Sequence, residues 1–202
     1  MKRIDDALVE EAKQYVSVLL TSELSDKCLF HTINHTLEVL SNAEIVASHC
    51  KLNGEELYML RMAALFHDVG YVDSYDDHES YSAKRARKYL EARIDDDQTI
   101  SQIEKAILST KVPQNPEDKI SKMLCDADLM NLTFDDYFEQ IDLMRMEWEQ
   151  VGNIKISRQQ LYINTLEFFQ THQYHSRYGK EVLQPKKEKT ERKIKDKVVV
   201  NK

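Results

Sequence analysis

His67 and Asp68 stand side by side at the end of an apolar run, Ala63-Ala64-Leu65-Phe66, and Val69-Gly70-Tyr71 follow them. Neighbours on an α-helix point about 100° apart, since about 3.6 residues make a turn. Two of them can therefore lean on one target only where the helix stops. Gly70 is expected to make that stop, as the residue that enters left-handed conformations at low steric cost. An imidazole and a carboxylate aimed at one point suit a metal ion of the Zn, Mn or Fe class. Taken alone, the pair reads equally as a histidine at a helix C-terminus followed by an aspartate that solvates a turn. Two further residues join it. His35 lies about thirty residues earlier, and Asp128 sixty residues later, inside Cys125-Asp126-Ala127-Asp128-Leu129. Each falls on, or at the end of, a segment whose pattern predicts burial, where an unpaired polar group costs several kcal/mol. One divalent ion would satisfy His35, His67, Asp68 and Asp128 together and leave positions open for water and substrate.

The elements that must position these residues read as helices. Four glycines and three prolines in 202 residues disfavour a many-stranded fold. Helical periodicity covers residues 5–20, then about 30–49, Glu55 to Phe66, a stretch from His78, Thr99 to Ser109, Glu117 to Leu129, Thr133 to Val151, a stretch from Ser157, and Tyr174 to about Lys195. The expectation is an all-α bundle of eight to nine helices. The third is apolar on nearly every side, as a buried helix is, and would carry His67-Asp68 to the centre. Leu37, Leu40, Ile45 and Val46 are candidate core residues of the second. Ile141, Leu143, Met144, Met146 and Trp148 are those of the seventh. His31 and His35, four apart, share a face if both are helical.

Charge and composition narrow the partners. Residues 181–202 hold eight basic against four acidic side chains, a balance of +4, so residues 1–180 carry −11 of the total −7. An acidic body is the wrong surface for nucleic acid, which a basic one binds by releasing counterions. The domain is expected over 1–180, with 181–202 a basic, frayed helical tail. The abrupt end at Val198-Val199-Val200-Asn201-Lys202 leaves room for an excerpt of a longer chain. Three cysteines without a CxxC pair suggest a reduced, cytoplasmic protein. No apolar run reaches the roughly 20 residues of a membrane span, and the N-terminal residues turn acidic at once, unlike a signal peptide. A face of so helical a domain is free to pair with a second copy as a homodimer.

The ordered set His35, His67-Asp68, Asp128, with Phe30-His31 before the first helix and Val69-Gly70-Tyr71 after the doublet, resembles the HD superfamily of metal-dependent phosphohydrolases. The likeness covers roughly residues 25–175 and is nearest to a broad bacterial group of predicted phosphohydrolases, whose pattern includes Leu143-Met144-Arg145-Met146-Glu147-Trp148. It implies an HD-domain helical bundle in which His35, His67, Asp68 and Asp128 ligate a divalent transition metal (Mn, Fe, Ni, Co or Zn). The ion would activate a water against a small phosphate ester, a nucleotide by preference. The alternative within the family is a sensor that binds metal and nucleotide without turnover. Lys111 and Arg145 are the candidate cations for the transition state, beside Asp68. His78 and Glu79 are candidate substrate contacts or proton donors. Members that bind two metals carry a further histidine at the position matching Thr110, so one ion is expected here. Three activities are disfavoured. Val69–Val72 replace the Glu-Asp pair of guanosine tetraphosphate hydrolases. Tyr71 replaces a glutamate of the 5′-deoxynucleotidases. The Gly-Tyr-Pro loop of cyclic-diguanylate phosphodiesterases has no counterpart. Some relatives continue into a membrane-spanning module, which the basic end would suit.

Overall fold

Asp5 opens the first helix by accepting the Leu8 N–H at 2.9 Å, the side-chain cap that satisfies an orphan donor. The computed structural model describes residues 3–200. Met1, Lys2, Asn201 and Lys202, which include both ends of the sequence readings above, lie outside the described residues. The helices are α1 (Asp6–Glu23), α2 (Ile33–Cys50), α3 (Gly54–Phe66), α4 (His78–Glu91), α5 (Asp97–Leu108), α6 (Lys119–Asp128), α7 (Tyr137–Val151), α8 (Arg158–Thr171) and α9 (Gln184–Val200). Two 3₁₀ turns, Val69–Val72 and Leu129–Thr133, follow α3 and α6, and a π-helical turn, Gly179–Leu183, leads into α9. No strand occurs among the described residues. The fold is the all-α bundle that the pattern predicts.

Capping explains most boundaries. Asn53 and Glu56 form a capping box at the start of α3. Asp96, Asp118 and Ser157 cap α5, α6 and α8 through N–H groups three residues on. Lys51, at φ 50°, ends α2 in the left-handed region. The C-terminal half of α3 is the hub. Leu60, Met62, Ala63, Ala64, Leu65 and Phe66 have no exposed surface, and α1, α2, α5 and α6 all pack on it. Ser82, Ala83 and Ala86 give α4 a small buried face. These six helices enclose the main core. A second, smaller core lies among α7, α8 and α9, with Tyr137, Ile141, Leu161, Phe169 and Ile194.

Several expectations change. Ile45, Leu143 and Met146 are exposed rather than core, because only one stripe of α2 and of α7 meets a neighbour. His31 precedes α2 instead of sharing a helical face with His35. The basic segment is not frayed over its described part. Leu183, Lys187, Thr190 and Ile194, spaced four, three and four apart, are buried, and α9 packs on α8. The polar members of that stripe hid it from a hydrophobicity reading. Lys187 is tolerated inside because its ammonium donates to the carbonyl of Phe169 at 2.8 Å and to that of His172. Those carbonyls end α8, where the helix dipole favours a cation.

Gly70 also serves a different purpose from the expected one. No glycine among the described residues has a positive φ. The break after α3 is made at Asp68, whose φ of −113° and ψ of 3° start the 3₁₀ turn. Gly70 is needed for closeness. A Cβ there would stand 2.0 Å from the His78 carbonyl oxygen and 2.6 Å from the Ser82 nitrogen, and its N–H donates to Ser82 Oγ at 2.8 Å. The obstacle is backbone, which cannot swing aside. Gly70→Ala is therefore expected to destabilise the protein by about 3 kcal/mol, the upper end for overpacking. Urea unfolding followed by circular dichroism measures this, and a loss below about 1 kcal/mol would refute the close approach.

Candidate metal centre

Four side chains from three helix ends meet in the interior. His35 comes from the first turn of α2, His67 and Asp68 from the end of α3, and Asp128 from the end of α6. His35 Nε2 lies 3.5 Å from Asp68 Oδ2 and 3.4 Å from Asp128 Oδ1. His67 Nε2 lies 3.2 Å and 3.6 Å from the same two oxygens. His35, His67 and Asp128 donors all fall within 4.8 Å of one another, and Asp68 Oδ2 lies beside the two histidine nitrogens. Donors about 2.0–2.2 Å from one ion are separated by roughly 3.0–3.6 Å, so the spacing fits a shared cation.

Two further observations support that fit. His67 Nδ1 is 2.7 Å from the Ala64 carbonyl oxygen. A carbonyl only accepts, so Nδ1 carries the proton and Nε2 turns to the cluster, the arrangement that orients a metal-binding histidine. His67 Nε2 and Asp68 Oδ2 are buried with no hydrogen-bond partner, a costly state for polar groups unless something lies between them. The electrostatics agree. Burial opposes charge on His67, but Asp68 and Asp128 outweigh it and hold its pKa well above the ordinary value. Burial would raise Asp128, yet His35 and His67 bring it down to about 2. Asp68 is likewise driven well below the ordinary range by His67 and His78, against its burial. The two carboxylates thus stabilise positive charge at the site.

The supports of Asp128 are specific. Asn42 of α2 donates to the Ala127 carbonyl at 3.2 Å, and the Tyr174 hydroxyl donates to that of Leu129 at 2.8 Å. Asp126, the other carboxylate of the Asp-Ala-Asp triplet, faces away from the centre. It accepts the N–H groups of His175 and Ser176 at 2.7 and 2.8 Å and so ties α6 to the segment leading into α9.

His78 Nε2 lies 3.5 Å from Asp68 Oδ1 and 3.7 Å from Glu79 Oε1. Burial disfavours its charge, but Asp68 and Glu79 raise its pKa above the histidine norm. Its ring stacks on Tyr71 at 3.8 Å, and Tyr71 stacks on His31 at 4.4 Å. Thr110 is buried and spends its hydroxyl on the Ile107 carbonyl. Lys111 stands at the cavity mouth with its ammonium 2.5 Å from Asp77 Oδ1. Arg145 corrects the sequence reading. It pairs with Asp142 at 3.4 Å and Glu149 at 3.8 Å along α7 and does not line the cavity. The lining stripe of α7 is Tyr137, Ile141, Met144 and Trp148, and Arg145 is about 100° off it.

The residue that sequence reasoning passed over is Glu147. It is fully buried. Oε2 accepts the N–H groups of Phe30 and His31 at 2.8 and 3.1 Å, and Oε1 meets His31 Nδ1 at 2.5 Å and the Tyr75 hydroxyl at 2.9 Å. One carboxylate thus fastens the loop before α2 and the loop before α4 to α7, and it orients the His31 ring at the cavity wall. An acid directly beside the stripe residue Trp148 was the one local signal. The cavity itself is about 550 Å³.

The model of the HD domain family matches residues 32–132, half of the chain. A crystal structure of a predicted HD superfamily hydrolase from an uncultured Thermotogales bacterium is similar over 80% of this chain and 88% of its own, at 23% identity and a TM-score of 0.55. At that identity the likeness concerns the fold alone. No curated protein matches the sequence.

Burial raises the pKa of Glu147, but the hydrogen bonds and charge of His31 and the Phe30 and His31 N–H groups overcome it and bring the pKa from 4.5 to about 2. A carboxyl depressed in the folded state contributes stability above its unfolded pKa and loses it as pH falls through the folded one. Glu147→Gln is therefore expected to cost about 3–4 kcal/mol at pH 6, at about 1.4 kcal/mol per pKa unit. The difference from wild type should shrink between pH 4.5 and pH 2. Chemical denaturation across that window tests it; a gap that does not change with pH would contradict the assignment.

Proposed function

Given that the chain belongs to the HD domain family, we propose that it is a metal-dependent phosphohydrolase acting on a nucleotide or a similar small phosphate ester. The observation that carries this reading is the convergence of His35, His67, Asp68 and Asp128, with His67 Nε2 and Asp68 Oδ2 buried and without partners. These four would hold one divalent ion from among Mn, Fe, Ni, Co and Zn; Thr110, its hydroxyl engaged by Ile107, favours one ion over two. When bound, such an ion supplies Lewis-acid activation of a water and of a phosphoryl oxygen.

The chain's own groups would do the rest. Asp68 presents one oxygen to the cluster and the other to His78 at 3.5 Å, a position from which it can take the proton of the attacking water. His78, 3.7 Å from Glu79, is placed to pass that proton on. His31, oriented by Glu147 and lining the cavity, would protonate the leaving oxygen. Lys111 is the lining lysine that would meet developing negative charge on release from Asp77; Arg145 has no such role in this proposal. Three free cysteines agree with a reducing, cytoplasmic setting, and among the described residues no helix is long and apolar enough to cross a membrane.

Purified protein is expected to hold a stoichiometric transition metal and to release phosphate from a nucleotide or ester panel. Asp68→Ala should lower kcat/KM by about 10²–10⁴, the range for a lost general base. A chelator should lower stability by about 3 kcal/mol where free metal is near 100 times its Kd. Absence of bound metal together with unchanged melting in chelator would overturn the proposal.

A further inference from the structure

The cavity has two chemically different ends. Its polar end is the metal centre. Beyond Asn131 it runs between α7 and α8, where Tyr137, Ile141, Met144 and Trp148 form one wall and Leu161, Asn164, Thr165 and Phe168 the other, with Asn164 and Thr165 the polar members of an otherwise apolar lining. Tyr137, Ile141 and Leu161 also belong to the second apolar core, so the chamber is that core left open towards the metal ligands. At about 550 Å³ the cavity is in the range of small-molecule sites, roughly 300–1,000 Å³. A phosphoryl group fills only a small part of it.

The charge of the lining limits what else can enter. Asp68, Asp76, Asp77, Glu79 and Asp128 line the cavity, and Lys111 is the sole Lys or Arg among the described lining residues. Its ammonium is already tied to Asp77 at 2.5 Å. Beyond the charge that the ion, His31 and His78 would balance, a chain of two or three phosphates would meet a wall of carboxylates whose one lysine already faces Asp77. Asn131, 4% exposed, adds one polar contact at the junction: its buried Oδ1 has no hydrogen-bond partner.

We propose that the preferred substrate is a phosphate monoester of an apolar alcohol, its single phosphate at the metal centre and its aliphatic or aromatic body between α7 and α8. The inference rests on the phosphohydrolase reading and adds the substrate class. Water oxygen forms the new bond to phosphorus, the bond from phosphorus to the ester oxygen breaks, and the departing oxygen takes up a proton. The products are the alcohol and inorganic phosphate. Asn131 Oδ1 would accept a hydrogen bond from the alcohol hydroxyl once the ester bond has broken.

Trp148 is the chain's only tryptophan and lines the chamber, so its fluorescence reports occupancy without turnover. Zinc-loaded protein is titrated with cyclohexylmethylphosphonate, methylphosphonate and ATP, and phosphate release is followed from cyclohexylmethyl phosphate, AMP and ATP. The cyclohexyl compound should change Trp148 emission and bind at least about tenfold tighter than methylphosphonate, and its ester should exceed both nucleotides in kcat/KM. Met144→Gln should lower the affinity ratio of the two phosphonates by about tenfold. Equal affinities, no emission change, or faster hydrolysis of AMP or ATP would overturn the inference while leaving a phosphohydrolase. Tight cyclohexyl binding with no phosphate released from any ester would instead overturn the hydrolase reading and keep the chamber's preference.

Discussion

Two carboxylates placed against the same pair of imidazoles need positive charge between them. In this protein Asp68 and Asp128 both lie 3.2–3.6 Å from the Nε2 atoms of His35 and His67. A proton on His67 answers part of the need, which is why its pKa rises against the cost of burial. A divalent ion would answer it more fully, by competing with that proton for the same lone pair. The rest of the fold can be understood as what keeps these four groups together. The apolar core behind them makes the cluster expensive without a cation.

The supports divide between the two cores. The main core fixes the ends of α2, α3 and α6, through the fully buried last turns of α3 and the Asn42 contact to Ala127. Gly70 lets the turn after Asp68 press against the backbone of α4, which brings His78 beside Asp68. The second core holds α7 and α8 across the opening. Glu147 is the polar link between the halves, since its two oxygens receive groups from residues 30, 31 and 75. A buried carboxylate with several donors is stable and strongly directional. The loop carrying His31 is thereby set by a helix more than a hundred residues away.

The outcome is a cavity with a charged end and an apolar end, built from different parts of the chain. The charged end matches the HD domain family, whose model spans residues 32–132. The apolar end comes from α7 and α8, after that span. The polar cluster and the stripe from Tyr137 to Trp148 thus belong to different stretches of the chain.

The sequence by itself determined the helical architecture, the buried hub of α3 and the order of the four polar residues that meet at its end. Those features are local, carried by periodicity, capping residues and polar groups placed in apolar runs. Tertiary structure alone decided the rest. Gly70 looked like a left-handed stop, but its need for a bare Cα comes from the backbone of His78. Arg145 looked like a cation for the site, but the rotation of α7 turned it towards Asp142 and Glu149. Glu147 carried no spacing to His31, and the two meet because α7 lies across the loop before α2. Helix 184–200 looked frayed until α8 supplied carbonyls for Lys187. In each case the deciding partner is far away along the chain, and a one-dimensional pattern records that a side chain will be buried without recording against what.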